Sequence, residues 1–300
     1  MTRSFTGLAG ALAVALVVGA PAWSHAADDP KTDKKDSAAP VAAQTPPAAA
    51  TPAEDDAVLN LAEPDFTLIG LPTSLRLPKY KSAFRVTHRF TRPLSCDECG
   101  NSLLADAFGL DSGAVIGLEY RFGIAPNAEV GIHRTSGKTI EFFGQYGVAR
   151  QGRKLPVEVS ALAAVDGTNN FKDSYSPALG LIVARRIGDR AAVYAEPIWV
   201  NNTNPLPEQV VDQNNTFMVG LGARVRVSAT VYIVGEVAPR ASGFKPGVSH
   251  GSFAIEKRAG GHMFQLNFSN AFGTAISQIA RGGLTNKDWY MGFNLTRKFF

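Results

Sequence analysis

From residue 82 onward the chain alternates apolar and polar positions in steps of two. Residues 216–227 show it most clearly: Phe217, Val219, Leu221, Ala223 and Val225 share one face, and Gly220, Gly222, Arg224 and Arg226 the other. Near the end, Phe264, Leu266 and Phe268 oppose Met263, Gln265 and Asn267, and Met291, Phe293, Leu295 and Phe299 oppose Gly292, Asn294 and Thr296. Such a period predicts strands with one apolar and one polar face. Twelve strands follow, at 82–91, 114–124, 128–135, 139–150, 157–165, 178–186, 191–200, 216–227, 230–240, 252–258, 260–270 and 289–300. The sixth is nearly all apolar, so its facing is not fixed by the pattern.

The connections repeat on their own scheme. Those after the second, fourth, sixth, eighth and tenth strands are short, and those after the first, fifth, seventh, ninth and eleventh are longer. Only 136–138 departs from this. Alternating turns and loops, with an even strand count, predict an all-β, antiparallel up-and-down transmembrane β-barrel of about twelve strands. Its apolar face meets lipid and its polar face the lumen. A soluble sandwich also alternates, with the apolar face inward. Glycines on the polar face (Gly117, Gly123, Gly131, Gly147, Gly220, Gly222, Gly292) suit a crowded lumen better than an exposed sheet.

Residues 1–26 have the form of a cleaved signal peptide: Arg3, an apolar run from Leu8 to Ala20, then Ser24-His25-Ala26. That run of 13 residues is too short to span a bilayer as a helix. Residues 27–65, rich in Ala, Pro and Asp, predict a disordered periplasmic linker. Around 68–77, bounded by Pro72 and Pro78, a lead-in strand or plug is expected. The barrel domain is 66–300, placed in the outer membrane of a diderm bacterium. The net charge of +4 conceals an acidic linker, with three lysines and nine acids in 27–65, ahead of a basic barrel. Basic residues are scattered singly, which argues against nucleic acid and suits lipid headgroups or anionic solutes.

On the inner face the pattern gathers Arg85, Arg89, Arg121, Arg224, Arg226, Arg240 and Arg258, with Glu119, Glu129, Glu141, Glu158, Glu196, Glu236 and Glu256. Seven of each sign exclude a filter of one sign. Two arrangements remain open. The charges pair and close the lumen, leaving a structural barrel that acts through its loops. Alternatively, acids and bases line opposite walls of a channel for small polar solutes. Cys96-Asp97-Glu98-Cys99 lacks the partners of a zinc or haem site and is a disulfide candidate. His88, His133, His250 and His262 show no nucleophile–base–acid order, although Ser249-His250 and His133 near Ser136 are the places to look for an outer-membrane hydrolase. The sequence therefore predicts neither catalysis nor a cofactor.

The motif Gly260-Gly261-His262-x-Phe264-Gln265-Leu266-x-Phe268-x-Asn270, followed by Asp288-Trp289 and Gly292-Phe293-Asn294-x-Thr296-Arg297, resembles a bacterial β-barrel family known as a domain of unknown function. Gly117-Leu118-Glu119-Tyr120, Gly137-Lys138-Thr139 and the run from Leu179 to Arg186 are similar to it too. The resemblance spans roughly 80–300 and implies an exported barrel with no assigned activity. Members often end on an outward phenylalanine, a phase Phe299 holds here. The C-terminal strand is thus the expected signal to the barrel-assembly machinery.

Overall fold

The structure is a computed structural model that describes residues 61–95, 113–152, 154–204 and 214–299. The strands are β1 (Ser82–Phe90), β2 (Ala114–Ala125), β3 (Ala128–Thr135), β4 (Ile140–Ala149), β5 (Glu158–Gly167), β6 (Asp173–Ile187), β7 (Ala191–Val200), β8 (Thr216–Arg226), β9 (Val231–Ala238), β10 (Arg240–Ser242), β11 (His250–Ala259), β12 (His262–Ser269) and β13 (Tyr290–Phe299). Two short helical elements are α1 (Thr168–Phe171) and α2 (Ile276–Arg281).

Each strand pairs antiparallel with its neighbours. β1 pairs with both β2 and β13, and β8 with both β7 and β9, so the sheet closes on itself. β10 continues β9 beyond Pro239, which has no N–H to donate, and pairs with the upper end of β8. Counting β9 and β10 as one interrupted strand gives the closed twelve-stranded barrel that the alternation predicts.

Apolar residues all round the ring are exposed on the outer face, among them Leu118, Leu179, Leu221, Ile233, Phe264 and Phe293. In a sandwich these would be the core. Here they form the face a bilayer covers. The inner face is buried, and it holds most of the buried charge.

Three expectations change. β6 begins five residues earlier than the apolar run: Ser176 and Pro177 pair with Asp166 and Val165 of β5, Pro177 O accepts the N–H of Asn201 just beyond β7, and Tyr175 and Pro177 continue the outward face. Its facing is now fixed: Ala178, Ile182 and Ala184 point inward and Leu179 and Leu181 outward. The linker boundary at 65 falls earlier, since Ala62, Glu63 and Asp65 are buried inside the barrel. The loop 270–289 is not simply a polar connection. It folds α2 into the lumen, where Ile276, Ile279 and Ala280 are buried. The proposed signal peptide, residues 27–60, and the pair Cys96 and Cys99 lie outside the described residues.

Candidate functional site in the lumen

Residues 61–78 enter and leave the barrel on the side of the short turns. They form a narrow hairpin held by Leu68 N–H to Leu71 O (2.8 Å) and Thr73 N–H to Phe66 O (2.9 Å). Leu68 to Leu71 make its tip. The hairpin joins none of the barrel strands as a ladder partner. Side chains of the wall hold it instead.

Glu236 on β9 receives the tip. Its Oε2 accepts the N–H groups of Ile69 (2.9 Å) and Leu71 (3.1 Å), and Oε1 accepts that of Gly70 (2.8 Å). Three successive amides turned toward one carboxylate make a nest for an anion. The hairpin's carbonyls face donors: Arg224 Nη2 to Thr67 O (2.6 Å), Gln265 Nε2 to Leu68 O (2.7 Å), Arg85 Nη2 to Ile69 O (2.5 Å), Asn294 Nδ2 to Ile69 O (3.1 Å) and Gln145 Nε2 to Thr73 O (2.9 Å). Lys298 Nζ also donates to Pro64 O. Lower down, Leu77 N–H reaches Glu129 Oε2 at 2.8 Å, and Glu63 accepts from Ser74 N–H (3.0 Å), Ser74 Oγ (2.9 Å) and the Tyr194 hydroxyl (2.9 Å). The buried main-chain groups of a segment without secondary structure thus find partners on the wall.

The hairpin's apolar side chains find a second surface. Leu68, Ile69 and Leu71 pack with Leu162, Ile182, Ile198, Met218 and Val234, contributed by β5 to β9. Gly220 and Gly222 on β8 make the room. A Cβ at Gly220 would meet Leu71 Cδ1 at 2.9 Å, and one at Gly222 would collide with Leu68. Gly147, facing Arg76, joins these two among the inner-face glycines that the hairpin crosses, whereas Gly117, Gly131 and Gly292 make room for wall side chains.

α2 descends from the loop side to meet the tip. Glu141 Oε1 accepts the Ile276 N–H at 2.8 Å, and a Cβ at Gly70 would stand 2.9 Å from Ile279 Cδ1. Hairpin and α2 together fill the interior. A void of about 30 Å³ remains between them, beside Arg85, Glu119 and Phe143, room for a water molecule or two.

Local pairing satisfies most of the inner charges. Glu119 bridges Arg85 (3.5 Å) and Arg121, and Arg121 also binds Glu129 at 2.8 Å. Arg224 and Glu256, both wholly buried, pair at 2.8 Å. Glu158 holds Arg186 (2.9 Å) and the hairpin's Arg76 (2.7 Å). Arg89 donates to Asn294 Oδ1 (2.8 Å). Arg226 Nη2 donates to Ala229 O at the turn side, and Arg240 Nη1 to Pro246 O and Arg281 O at the loop side. Arg258 is half-buried near the turns. Glu196 accepts no hydrogen bond among the described residues, although it is fully buried. Acids and bases therefore intermix across neighbouring strands and do not stand on opposite walls. What separates instead is an apolar patch on β5 to β9 from the more polar remainder.

Ser252, His250 and Glu236 also meet. Ser252 Oγ and His250 Nε2 lie 2.9 Å and 3.0 Å from Glu236 Oε1, and 3.3 Å from each other. One ring nitrogen faces both the hydroxyl and the carboxylate, whereas a relay needs one nitrogen for each. The three groups instead complete the shell around the hairpin tip.

Sequence reasoning put the charges and the amides Gln145, Gln265 and Asn294 on the inner face without giving the amides a role, and missed the hairpin's own Glu63, Asp65 and Arg76, and α2. The spacing of Ile276, Ile279 and Ala280 was the available signal for α2. Nothing local marks the role of the three amides, since the hairpin carbonyls they bind lie 72 to 225 residues away.

A closed antiparallel barrel, apolar outside and charged within, with its lumen occupied by its own chain, defines a membrane β-barrel protein. The profile of the family described as "Membrane bound beta barrel domain (DUF5777)" matches residues 65–299, and the chain belongs to that family. No curated protein matches the sequence. Among solved structures, the chain is similar to the NanC porin (4% identity, TM-score 0.48, covering 73% of this chain and 100% of that one). It is also similar to the COG4313 outer membrane channel from Pseudomonas putida F1 (10% identity, TM-score 0.47, 75% and 98%). A mutant of Rh. blastica porin matches at 10% identity and TM-score 0.33 over 62% of this chain, which spans 55% of that protein's length.

Proposed function

We propose that the protein is an outer-membrane channel for small polar solutes, shut at rest by its own residues 61–78 and opened when they leave the lumen. One observation carries this reading: the ring of backbone pairing is complete without the hairpin. Removing the hairpin breaks no ladder. It leaves Arg85, Glu119, Arg121, Glu129, Arg224, Glu236 and Glu256 lining a wetted path. The turn side faces the periplasm, where the linker 27–60, freed of its signal peptide, connects to the hairpin. Outside the barrel the partner is outer-membrane lipid, and the assembly machinery reads the C-terminal strand at Phe299. No catalysis is assigned to the lumen.

The test is single-channel conductance in a planar bilayer, on the intact chain and on a chain lacking 61–78. Heat-modifiable migration on a gel verifies folding of both. The intact barrel is expected to be silent between rare openings, and the shortened one to give steady steps. A second reading, a permanently closed barrel acting through its loops, is favoured by α2, which blocks the lumen from the other end. A third chain, with 274–282 also replaced by glycine and serine, separates them. If that barrel folds and stays silent, the channel gives way to the closed reading.

A further inference from the structure

At the turn-side mouth, where the returning arm of the hairpin meets the wall, a depression of about 480 Å³ opens to solvent. Four cations line it: Arg76 from the returning arm, Lys79 from the link to β1, Arg150 after β4, and Arg186 near the end of β6. Among the described residues Glu158 is the single carboxylate in the lining, and both its oxygens are engaged, Oε1 with Arg76 and Oε2 with Arg186. Glu63, buried behind, adds a contact to Arg186 at 3.6 Å. Even with Glu63 fully charged, positive charge is in excess by two.

Arg76 is held in place before any ligand arrives. Its side chain is 6% exposed. Nη1 donates to Ser160 Oγ (2.5 Å) and Ser74 O (2.7 Å), and Nη2 to Glu158. Its guanidinium crosses Gly147, where a Cβ would stand 2.5 Å from Cζ, so β4 is kept clear for it. Its Nε is buried and has no hydrogen-bond partner among the described residues. Arg150 is oriented by Asn127 Oδ1 on the facing turn, and Lys79 is exposed. Like charges gathered in one depression repel each other unless an anion sits among them, and arginines favour oxoanions through paired N–H donors. The depression is larger than a bare oxoanion needs, and Leu75, Leu77, Pro78 and Pro126 supply an apolar part to its lining.

We propose that this mouth is a binding site for a phosphate ester, its phosphoryl group held among Arg76, Lys79, Arg150 and Arg186 and its small organic body resting on Leu75, Pro78 and Pro126. Arg76 belongs to the hairpin, Lys79 to the link between it and β1, and the other two cations to the wall, so a bound ester also stabilises the docked hairpin through Arg76. That consequence rests on the gating proposed above, whereas the site itself does not.

The experiment is calorimetric titration of the folded full chain in detergent with sn-glycerol 3-phosphate, with glycerol as the uncharged control. Saturable heat with the phosphate alone is expected. Affinity is expected to fall at least about tenfold in K79A/R150A, a change confined to two side chains at the rim, and to stay unchanged in R134A at the loop side. Heat-modifiable migration establishes that each variant is a folded barrel. Absence of saturable heat, or equal affinity in folded K79A/R150A, overturns the site. Repeating the titration in phosphatidylcholine nanodiscs, with and without phosphatidylglycerol, tells the sources of the ester apart. If phosphatidylglycerol blocks the heat, the occupant is a lipid headgroup. If it does not, the occupant is a soluble ester. Both outcomes leave the site standing.

Discussion

Glu236 accepts the N–H of Gly70 at 2.8 Å, and it takes the flanking amides of Ile69 and Leu71 as well. One carboxylate on β9 thereby fixes the tip of a segment 166 residues earlier in the chain. Hydrogen bonds to a charged group contribute about 1.5–3 kcal/mol each, and an amide in place of the carboxylate turns an N–H toward N–H donors. E236Q is expected to weaken tip docking by about 3 kcal/mol, which corresponds to roughly a hundredfold faster amide exchange at Ile69 to Leu71. Hydrogen exchange read by mass spectrometry on the reconstituted barrel measures it. Unchanged protection at these amides would show that Glu236 does not hold the tip.

The tip is also limited in size. A Cβ on Gly70 would stand 2.9 Å from Ile279 Cδ1, closer than such contacts occur, and a branched side chain cannot fit. Overpacking of this kind costs about 1–3 kcal/mol. G70V is expected to push the hairpin and α2 apart and raise exchange in both. I279A, which opens the space, is expected to recover most of the loss in the double variant. A cycle of the four chains measures the coupling between the two plugs directly, and additive effects would mean that they do not touch.

Burial pushes the Glu63 carboxyl above its ordinary value of 4.5. The neighbouring Glu158 raises it further, while Ser74, Tyr194 and Arg186 pull the other way. The docked hairpin therefore binds a proton that the released one gives up. Below pH 4.5 both states are protonated and docking carries no penalty from this group. Between that pH and the raised value, each unit of pH weakens docking by about 1.4 kcal/mol. Opening is thus expected to increase as pH rises through this window, and E63Q, always neutral, is expected to flatten the dependence. Open probability recorded from about pH 4 to about pH 8, a range that brackets the ordinary carboxylate value and extends above it, checks the sign. An intact chain that opens more as pH falls would contradict it.

The barrel was legible because a strand in lipid writes its two faces directly into the sequence. β3 and β7 fall where the alternation puts them, and β8 within a residue. β6 was legible only in part, since in its first five residues the outward face is carried by Tyr175 and Pro177 alone, and a proline argues against a strand. The charges were legible as a set but not as pairs. The alternation places Arg224 and Glu256 inside, but only the closure of β8 onto β9 brings them to 2.8 Å. The hairpin was foreseen as a lead-in strand or plug, yet its partners were beyond reach. Its contacts are main-chain groups meeting side chains from around the ring, and neither half of such a contact has a period. α2 is six residues long, so the spacing of Ile276, Ile279 and Ala280 is its whole pattern, a single turn that does not distinguish a helix from a loop.

The pair Arg224–Glu256 separates structural charge from functional charge. Both side chains are wholly buried, and Glu256 also accepts from Gln265 Nε2 at 2.7 Å. Removing one member strands the other charge in a buried site, at a cost of about 3–5 kcal/mol, whereas replacing both by apolar residues of similar size is close to neutral. R224M is therefore expected to lower the temperature at which the barrel loses its compact form on a gel. R224M/E256L is expected to recover much of that loss. The double variant still lacks the donation from Arg224 Nη2 to Thr67 O, so it should hold the hairpin more loosely than the intact chain while keeping a stable wall. Measuring heat-modifiable migration and amide exchange in the same three chains distinguishes the two roles. If the double variant is as unstable as R224M, the pair is needed for the wall itself, and its charges are not spare lining for a channel.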